Sequence, residues 1–212
     1  MDKKNLSERD ICTKYITPAL ELSKWDIKKQ IREELGFTAG RIYVKGKLAA
    51  RGKQKRTDYI LYYKPNLPLA VIEAKDNNHS VGAGIQQALE YAQYLDIPFA
   101  YSSNGDGFLE HDRTVSEGTV EREITLNDFP SPEELWERYS KSKNISKEIE
   151  PMIIQDYYYD PIGKTPRYYQ QVAINRTIEA IAKGQNRILL VMATGTGKTY
   201  VSFQIIWRLW KA

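Results

Sequence analysis

The chain has 212 residues, 42% hydrophobic and 27% charged, with a formal net charge of +4. That composition is ordinary for a folded globular protein and excludes a fibre or a disordered chain as the default reading. No stretch approaches the roughly 18 uninterrupted apolar residues of a membrane span, and the start MDKKNLSERD has no apolar run of a secretory signal. Cys12 stands alone, so no disulfide framework exists; the expectation is a cytoplasmic protein in which Cys12 is a small buried hydrophobe.

In chain order, Ser7 reads as a helix N-cap, with Glu8 and Asp10 in the first turn and Ile11, Tyr15 and Ile16 as an apolar stripe. Pro18 is expected to kink or end that helix. A second helix is predicted over 26–35, closed by Gly36. Alternation and β-branched or aromatic residues then predict strands over 41–48, 58–63 and 69–74. Helical spacing returns over 80–95, with Ile85, Ala88, Leu89 and Ala92 on one face. A strand over 97–103 follows, then the turn Asn104-Gly105-Asp106-Gly107 before FLEH. This order describes a small α/β domain ending near residue 128.

Residues 131–143 read as an exposed helix capped by Ser131. The next stretch has three prolines and no steady period, a connector whose Tyr157-Tyr158-Tyr159 cluster should dock on a neighbour. From Pro166 a new unit begins: a helix over 170–183, a buried strand over 187–192, a glycine-rich turn and a helix from Lys198. The division expected is 1–145, a linker over 146–165, and 166–212.

Charge is uneven along the chain. Between Gly40 and Lys64 stand eight basic residues, Arg41, Lys45, Lys47, Arg51, Lys53, Lys55, Arg56 and Lys64, against one acid, Asp58. Such crowding points to a polyanion such as nucleic acid, or to a solvated hairpin with no partner.

The tract ATGTGKT (193–199), between an apolar run and an amphipathic one, has the context of a phosphate-binding loop. Gly195 and Gly197 permit the tight turn, Thr196 lies between them, and Lys198 adds charge. Thr199 can place its hydroxyl on Mg²⁺, and the following helix aims its N-terminus at phosphates. Met192 stands where the usual pattern has Gly or Ala. The form MATGTGKT resembles that of a subset of helicase-like motors, and Arg167-Tyr168-Tyr169-Gln170 resembles the glutamine motif of superfamily 2 helicases, which implies that Gln170 reads adenine. No acidic motif for Mg²⁺ and no second lobe follow before Ala212. The expectation is a piece of a longer protein that by itself lacks ATPase activity.

Asp58, Glu73 and Lys75 form the pattern Asp…Glu-Ala-Lys. With Pro65-Asn66 as a two-residue turn, Asp58 falls opposite Glu73, and period two places Asp58, Ile60, Val71, Glu73 and Lys75 on one face. Two carboxylates brought together repel unless a divalent cation joins them, and Lys75 could hold the attacking water or steady the phosphate. A surface ion pair is the plainer alternative. Gln87 and Tyr91, one helical turn apart, share a face away from the apolar stripe and could touch DNA backbone or buttress the site.

The Asp…Glu-x-Lys spacing resembles the PD-(D/E)xK nuclease superfamily, with Thr57 in place of the usual proline. Gln87 and Tyr91 resemble the Gln-x-x-x-Tyr motif of the nuclease domain in type I restriction enzyme motor subunits. The succession RTDYILYY, AVIEAK, QQALEYA and the phosphate loop follows that family's order. The resemblance implies a restriction-endonuclease-like core, a mixed sheet flanked by helices, followed by the beginning of a RecA-like helicase lobe. It further implies Mg²⁺ at Asp58 and Glu73, and ATP at Gln170 and residues 195–199. Double-stranded DNA would be the substrate, with methyltransferase and specificity subunits as partners. Glu8 is either a further acidic ligand, as similar nucleases place one there, or a capping-turn acid; His79 and His111 are read as structural or solvent-exposed. Two rivals are a stand-alone nuclease–helicase of repair or phage defence, and a non-catalytic DNA clamp.

Overall fold

Ser7 opens the first helical run as its sequence position suggests. Its Oγ accepts the Asp10 N–H, and the Asp10 carboxylate accepts the Ser7 N–H, each at 3.2 Å. The structure, a computed structural model, describes residues 2–38, 42–45, 48–51, 54–160, 163 and 165–212. The first run is α1 (Glu8–Ile11), a π turn (Cys12–Ile16) and α2 (Thr17–Leu22). Pro18 does not end it. The wider π turn places Pro18 in the first turn of α2, where its missing donor is tolerated.

The helix expected over 26–35 is cut short. Asp26 accepts the Lys28 and Lys29 amides and starts α3 (Ile27–Gln30), but β1 (Ile31–Glu33) follows at once. Ile31 lies opposite Leu61 and is buried, so pairing and burial at this edge override the helical spacing. Next come β2 (Gly36–Thr38), β3 (Ile42–Lys45), β4 (Leu48–Arg51) and β5 (Gln54–Arg56), forming the ribbons β2·β5 and β3·β4. Of the basic cluster, Arg41, Lys47 and Lys53 lie outside the described residues, as do the side chains of Lys45 and Arg51.

β6 (Tyr59–Lys64) and β7 (Leu67–Ala74) form the expected hairpin, with Lys64 opposite Leu67 across Pro65-Asn66 and Tyr59 opposite Ile72. A bulge past Leu61 gives β7 one extra residue, Leu69, between the partners of Leu61 and Tyr62. α4 (Ile85–Leu95) begins later than expected, after turns over 81–84. β8 (Phe99–Ser103) then returns parallel to β7, followed by β9 (Gly107–Asp112) and β10 (Glu121–Thr125). Gly105, at φ +84°, makes the turn the Asn-Gly-Asp-Gly run predicts. The sheet order is β1-β6-β7-β8-β9-β10, with β7·β8 its parallel pair.

Both faces of this sheet are covered. Ile60, Tyr62, Val71 and Ala100 meet Ile85, Ala88, Tyr91 and Ala92 of α4. Leu61, Ile72, Phe99 and Tyr101 meet Ile11, Ile16 and Leu20 on the other side, with Leu135 and Trp136 of α5 (Pro132–Ser142). β8 is accordingly buried along its whole length. Mixed sheet and flanking helices match the expected class.

Ser131 caps α5 through the Glu134 amide, as expected. The connector contains α6 (Glu150–Ile154), and Tyr157 docks on Ile174, Ile178 and Val201. α7 (Tyr168–Ala182) and α8 (Lys198–Lys211) match the last two predicted helices. The strand predicted over 187–192 is corrected: this segment forms no ladder, and Leu189 and Val191 are 87% and 88% exposed. Among the described residues no strand lies beside it to take its backbone hydrogen bonds. No described helix is long and apolar enough to cross a membrane.

Candidate active site

β7 ends in the middle of the sheet, and its last residues carry Glu73 toward α4. Val71, two residues earlier, faces that helix, and period two gives Glu73 the same direction. Glu73 is only 3% exposed. Its Oε1 accepts from Gln87 Nε2 and from Lys75 Nζ, the latter at 3.3 Å, whereas Oε2 is buried with no hydrogen-bond partner. Lys75 Nζ also lies 3.5 Å from Gln87 Oε1 and 3.8 Å from Glu8 Oε1.

Asp58 stands one residue before β6, so the pairing with Glu73 expected across the hairpin falls just outside the ladder. Its Oδ2 instead accepts the Ala74 N–H at 2.7 Å, which clamps the carboxyl against the end of β7. Burial raises the Asp58 pKa above the usual carboxylate range, partly offset by that amide and by Lys75. Burial, with the Asp58 charge next in weight, pushes Glu73 up to about 8. Lys75 is held above its ordinary value: burial opposes its charge, but Glu73 and Glu8 together prevail. Two acids raised mainly by burial, the second also by the charge of the first, with one oxygen left bare, form a donor set that suits a divalent cation.

Gln87 and Tyr91 both join this cluster. Gln87 Nε2 reaches Tyr91 OH at 2.9 Å. Tyr91 is not apart from the apolar stripe, as its spacing implied; it is 5% exposed and its ring belongs to the α4–sheet core. Lys55 of β5 pairs with Glu90 and lies 5.9 Å from the Tyr91 ring, a neighbour that its place in a basic run did not disclose. Two further residues escaped the sequence reading. Ser102 is the cross-strand partner of Glu73, and Gly84 precedes α4; the Gly82-Ala-Gly84 run before a helix was the one available signal.

Glu8, in the first turn of α1, points to the cluster through Lys75, with its side chain half exposed. Among the described residues no three His, Cys, Asp or Glu side chains converge as a preformed metal cage. His79 pairs with Asp76 and His111 with Glu121. Burial pushes the half-buried Cys12 thiol up to about 12, consistent with an inert packing role.

The glycine-rich turn precedes α8 as expected, with Gly195 at φ +78° and Gly197 at φ +84°. Thr196 Oγ1 donates to Ala193 O at 2.6 Å, and Lys198 Nζ reaches the carbonyls of Met192 and Ala193 at 3.3 and 3.2 Å. Thr199 lies in the first turn of α8. Gln170 is buried: its Oε1 accepts the Arg167 N–H and its Nε2 donates to Thr196 O, both at 2.9 Å. A Cβ on Gly197 would stand 2.5 Å from that Nε2, so Gln170 closes directly on the loop.

Residues 24–130 match the family described as type I restriction enzyme R protein N terminus, and residues 163–212 match the type III restriction enzyme res subunit family. The chain is 56% identical over 209 residues to the type I restriction enzyme EcoAI endonuclease subunit of Escherichia coli, covering 98% of this chain and 26% of that protein. It is 30% identical to the EcoKI endonuclease subunit of E. coli K12, covering 74% of this chain and 17% of that one. A solved fragment assigned as the HsdR subunit of a type I restriction enzyme from Vibrio vulnificus YJ016 superposes with a TM-score of 0.83 at 44% identity. That alignment covers 97% of this chain and 38% of the other. The chain thus spans about a quarter or less of the curated relatives' length.

Proposed function

The chain belongs to the family of type I restriction enzyme R proteins, and from that premise we propose that it carries the DNA-cutting site and the nucleotide loop of an ATP-driven restriction subunit. Residues 1–145 are read as the cutting unit, 146–165 as a linker and 166–212 as the start of the motor. The substrate is double-stranded DNA, and methyltransferase and specificity subunits are the partners. The observation that carries this reading is the bare, buried Glu73 Oε2 beside Asp58, with Lys75 and Gln87 on the other oxygen.

In this reading Asp58 and Glu73 hold Mg²⁺. Bound there, the ion supplies Lewis-acid polarisation of the phosphodiester and acidifies water. Lys75 keeps its proton and offers an ammonium to the phosphate or the incoming water; Gln87 occupies Glu73 Oε1 and leaves Oε2 as the oxygen that would hold the ion. Tyr91 braces Gln87 through its hydroxyl. Lys198 and the Gly195–Gly197 amides bind ATP phosphates, Thr199 serves the accompanying Mg²⁺, and Gln170 serves the adenine or senses loop closure.

Two measurements test it. In the complete complex, Asp58→Ala or Lys75→Ala should lower DNA cleavage by at least about 100-fold while ATP hydrolysis stays unchanged; cleavage at the wild-type rate removes that residue from the site. Calorimetry with Mn²⁺ should show binding that an Asp58→Ala/Glu73→Ala variant loses. Identical heats would instead favour a DNA clamp.

A further inference from the structure

Helix α4 packs along the sheet through Ile85, Ala88, Tyr91 and Ala92, and its start meets the sheet at the back of the acidic cluster. Glu73 and Ser102 are direct partners in the parallel β7·β8 pair, both buried, with Ser102 wholly enclosed. Ser102 Oγ accepts the Gly84 N–H at 2.9 Å, which supplies the helix start with the partner its own side chain cannot. Gly84 has φ −90° and ψ −6°, a conformation open to any residue, so its glycine answers a need for space. A Cβ there would lie 2.9 Å from Ser102 Oγ, 3.0 Å from Glu73 Cγ and 3.2 Å from Glu73 Cβ.

The helix backbone therefore rests on the stem of Glu73. From that point of contact α4 runs on to Gln87, one turn later, and to Tyr91, one turn beyond that. The depth and rotation of α4 at Gly84 decide whether the Gln87 carboxamide meets Glu73 Oε1 and Lys75 Nζ. Ile85, Ala88 and Ala92 hold the body of the helix on the sheet and Tyr91 its far turn, while Gly84 is where its start meets Glu73 itself.

We propose that Ser102 and Gly84 are positioning residues of the cutting site, a serine–glycine seat that holds α4 at the height where Gln87 aligns Glu73 and Lys75. This rests on the reading of Glu73 and Lys75 as cutting residues. Rigid support of this kind matters because displacing reacting groups by a fraction of an ångström to 1 Å lowers rates by about ten- to a hundredfold.

The test uses the full-length subunit assembled with its partners, carrying Gly84→Ala, Ser102→Ala or, as reference, Glu73→Ala. Cleavage rate against Mg²⁺ concentration, ATP hydrolysis and Mn²⁺ affinity by calorimetry are measured for each. The seat predicts that Gly84→Ala cuts about tenfold more slowly at saturating Mg²⁺ and binds Mn²⁺ more weakly, with ATP hydrolysis within about twofold of wild type. Ser102→Ala, which removes a single oxygen and creates no clash, should show the same pattern in milder form. Wild-type cutting and Mn²⁺ affinity in both variants, with Glu73→Ala inactive, would overturn the seat and leave the site itself standing. Parallel loss of cutting and ATP hydrolysis would reduce the pair to general structural support and overturn it too. If Glu73→Ala still cuts, the reading beneath it fails instead. Should Gly84→Ala not fold, Ser102→Ala decides alone.

Discussion

Glu73 and Glu110 are both buried glutamates on one sheet, and their surroundings send them in opposite directions. Glu110 is 1% exposed, yet Arg138 contacts both of its oxygens at 2.7 and 3.1 Å, Arg122 binds at 2.9 Å and Tyr101 OH donates at 2.6 Å. Burial alone would raise its pKa, but those bonds outweigh it and hold the carboxyl below its ordinary value of 4.5. A carboxylate with a depressed pKa stabilises the fold above its unfolded pKa, and that contribution fades as pH falls through the folded one. Melting temperatures of wild type and Glu110→Gln should therefore differ most near neutrality and converge below about pH 4.5; a constant gap down to pH 3 would show that Glu110 is not ionised in the fold. Arg138→Ala, which leaves the buried carboxylate with Arg122 and Tyr101 and removes its bidentate partner, should cost about 1.5–3 kcal/mol, read from denaturant unfolding. Glu73 has no such partner for Oε2, and this difference separates a structural glutamate from a candidate ligand. Asp58, Glu73 and Lys75 were legible because a hairpin with a two-residue turn fixes its register from the sequence. Glu110 and Arg138 were not, since their contact spans 28 residues and no period links them.

At the scale of elements, the predictions that held are those in which local chemistry and tertiary packing agree: the Ser7 and Ser131 caps, the β6–β7 hairpin, α4 and α8. Those that changed are where a neighbour decides. Residues 31–33 leave a helical pattern because β6 offers a free edge, and 187–192 keeps a strand's composition without a strand beside it. Pro18 is absorbed by a π turn that no pattern reports. The joint of α8 is another such long-range product. Arg208 is fully buried, donates to Ile153 O at 2.6 Å and Asn175 Oδ1 at 2.7 Å, and lies over the Tyr157 ring. Asn175 in turn donates to Asn66 O in the turn of the β6–β7 hairpin. Replacing Arg208 by Ala removes two charge-assisted bonds worth about 1.5–3 kcal/mol each. Hydrogen exchange should then quicken in α8 and across 150–157, while β7 and β8 keep their protection. Uniform quickening over the sheet as well would mean that α8 and the sheet unfold as one unit.

For the molecule as a whole, the glycine-rich loop and the acidic site share one chain, and α7 is fastened to the sheet domain at several points. Arg176 pairs with Asp96 at 2.7 Å, Tyr139 OH reaches Glu179 at 3.4 Å, and Asn175 holds Asn66. If DNA is the substrate, as proposed, it must be drawn to acids that repel it, and the excess of basic residues from Arg41 to Lys64 is a feature of the chain suited to that task. Lys55 and Arg56 are occupied by Glu90 and Glu34, so the attraction falls to the remainder of the run. If Lys45, Lys47 and Lys53 meet phosphates, each contact releases counterions, and the logarithm of the binding constant falls with the logarithm of salt by about 0.9 per contact. Changing all three to Gln in the full-length protein should flatten that slope by about 2–3, while Mn²⁺ binding at Asp58 and Glu73 stays as in wild type. An unchanged slope would mean that this run faces solvent, and the approach of DNA would then have to be sought on the motor side of the chain.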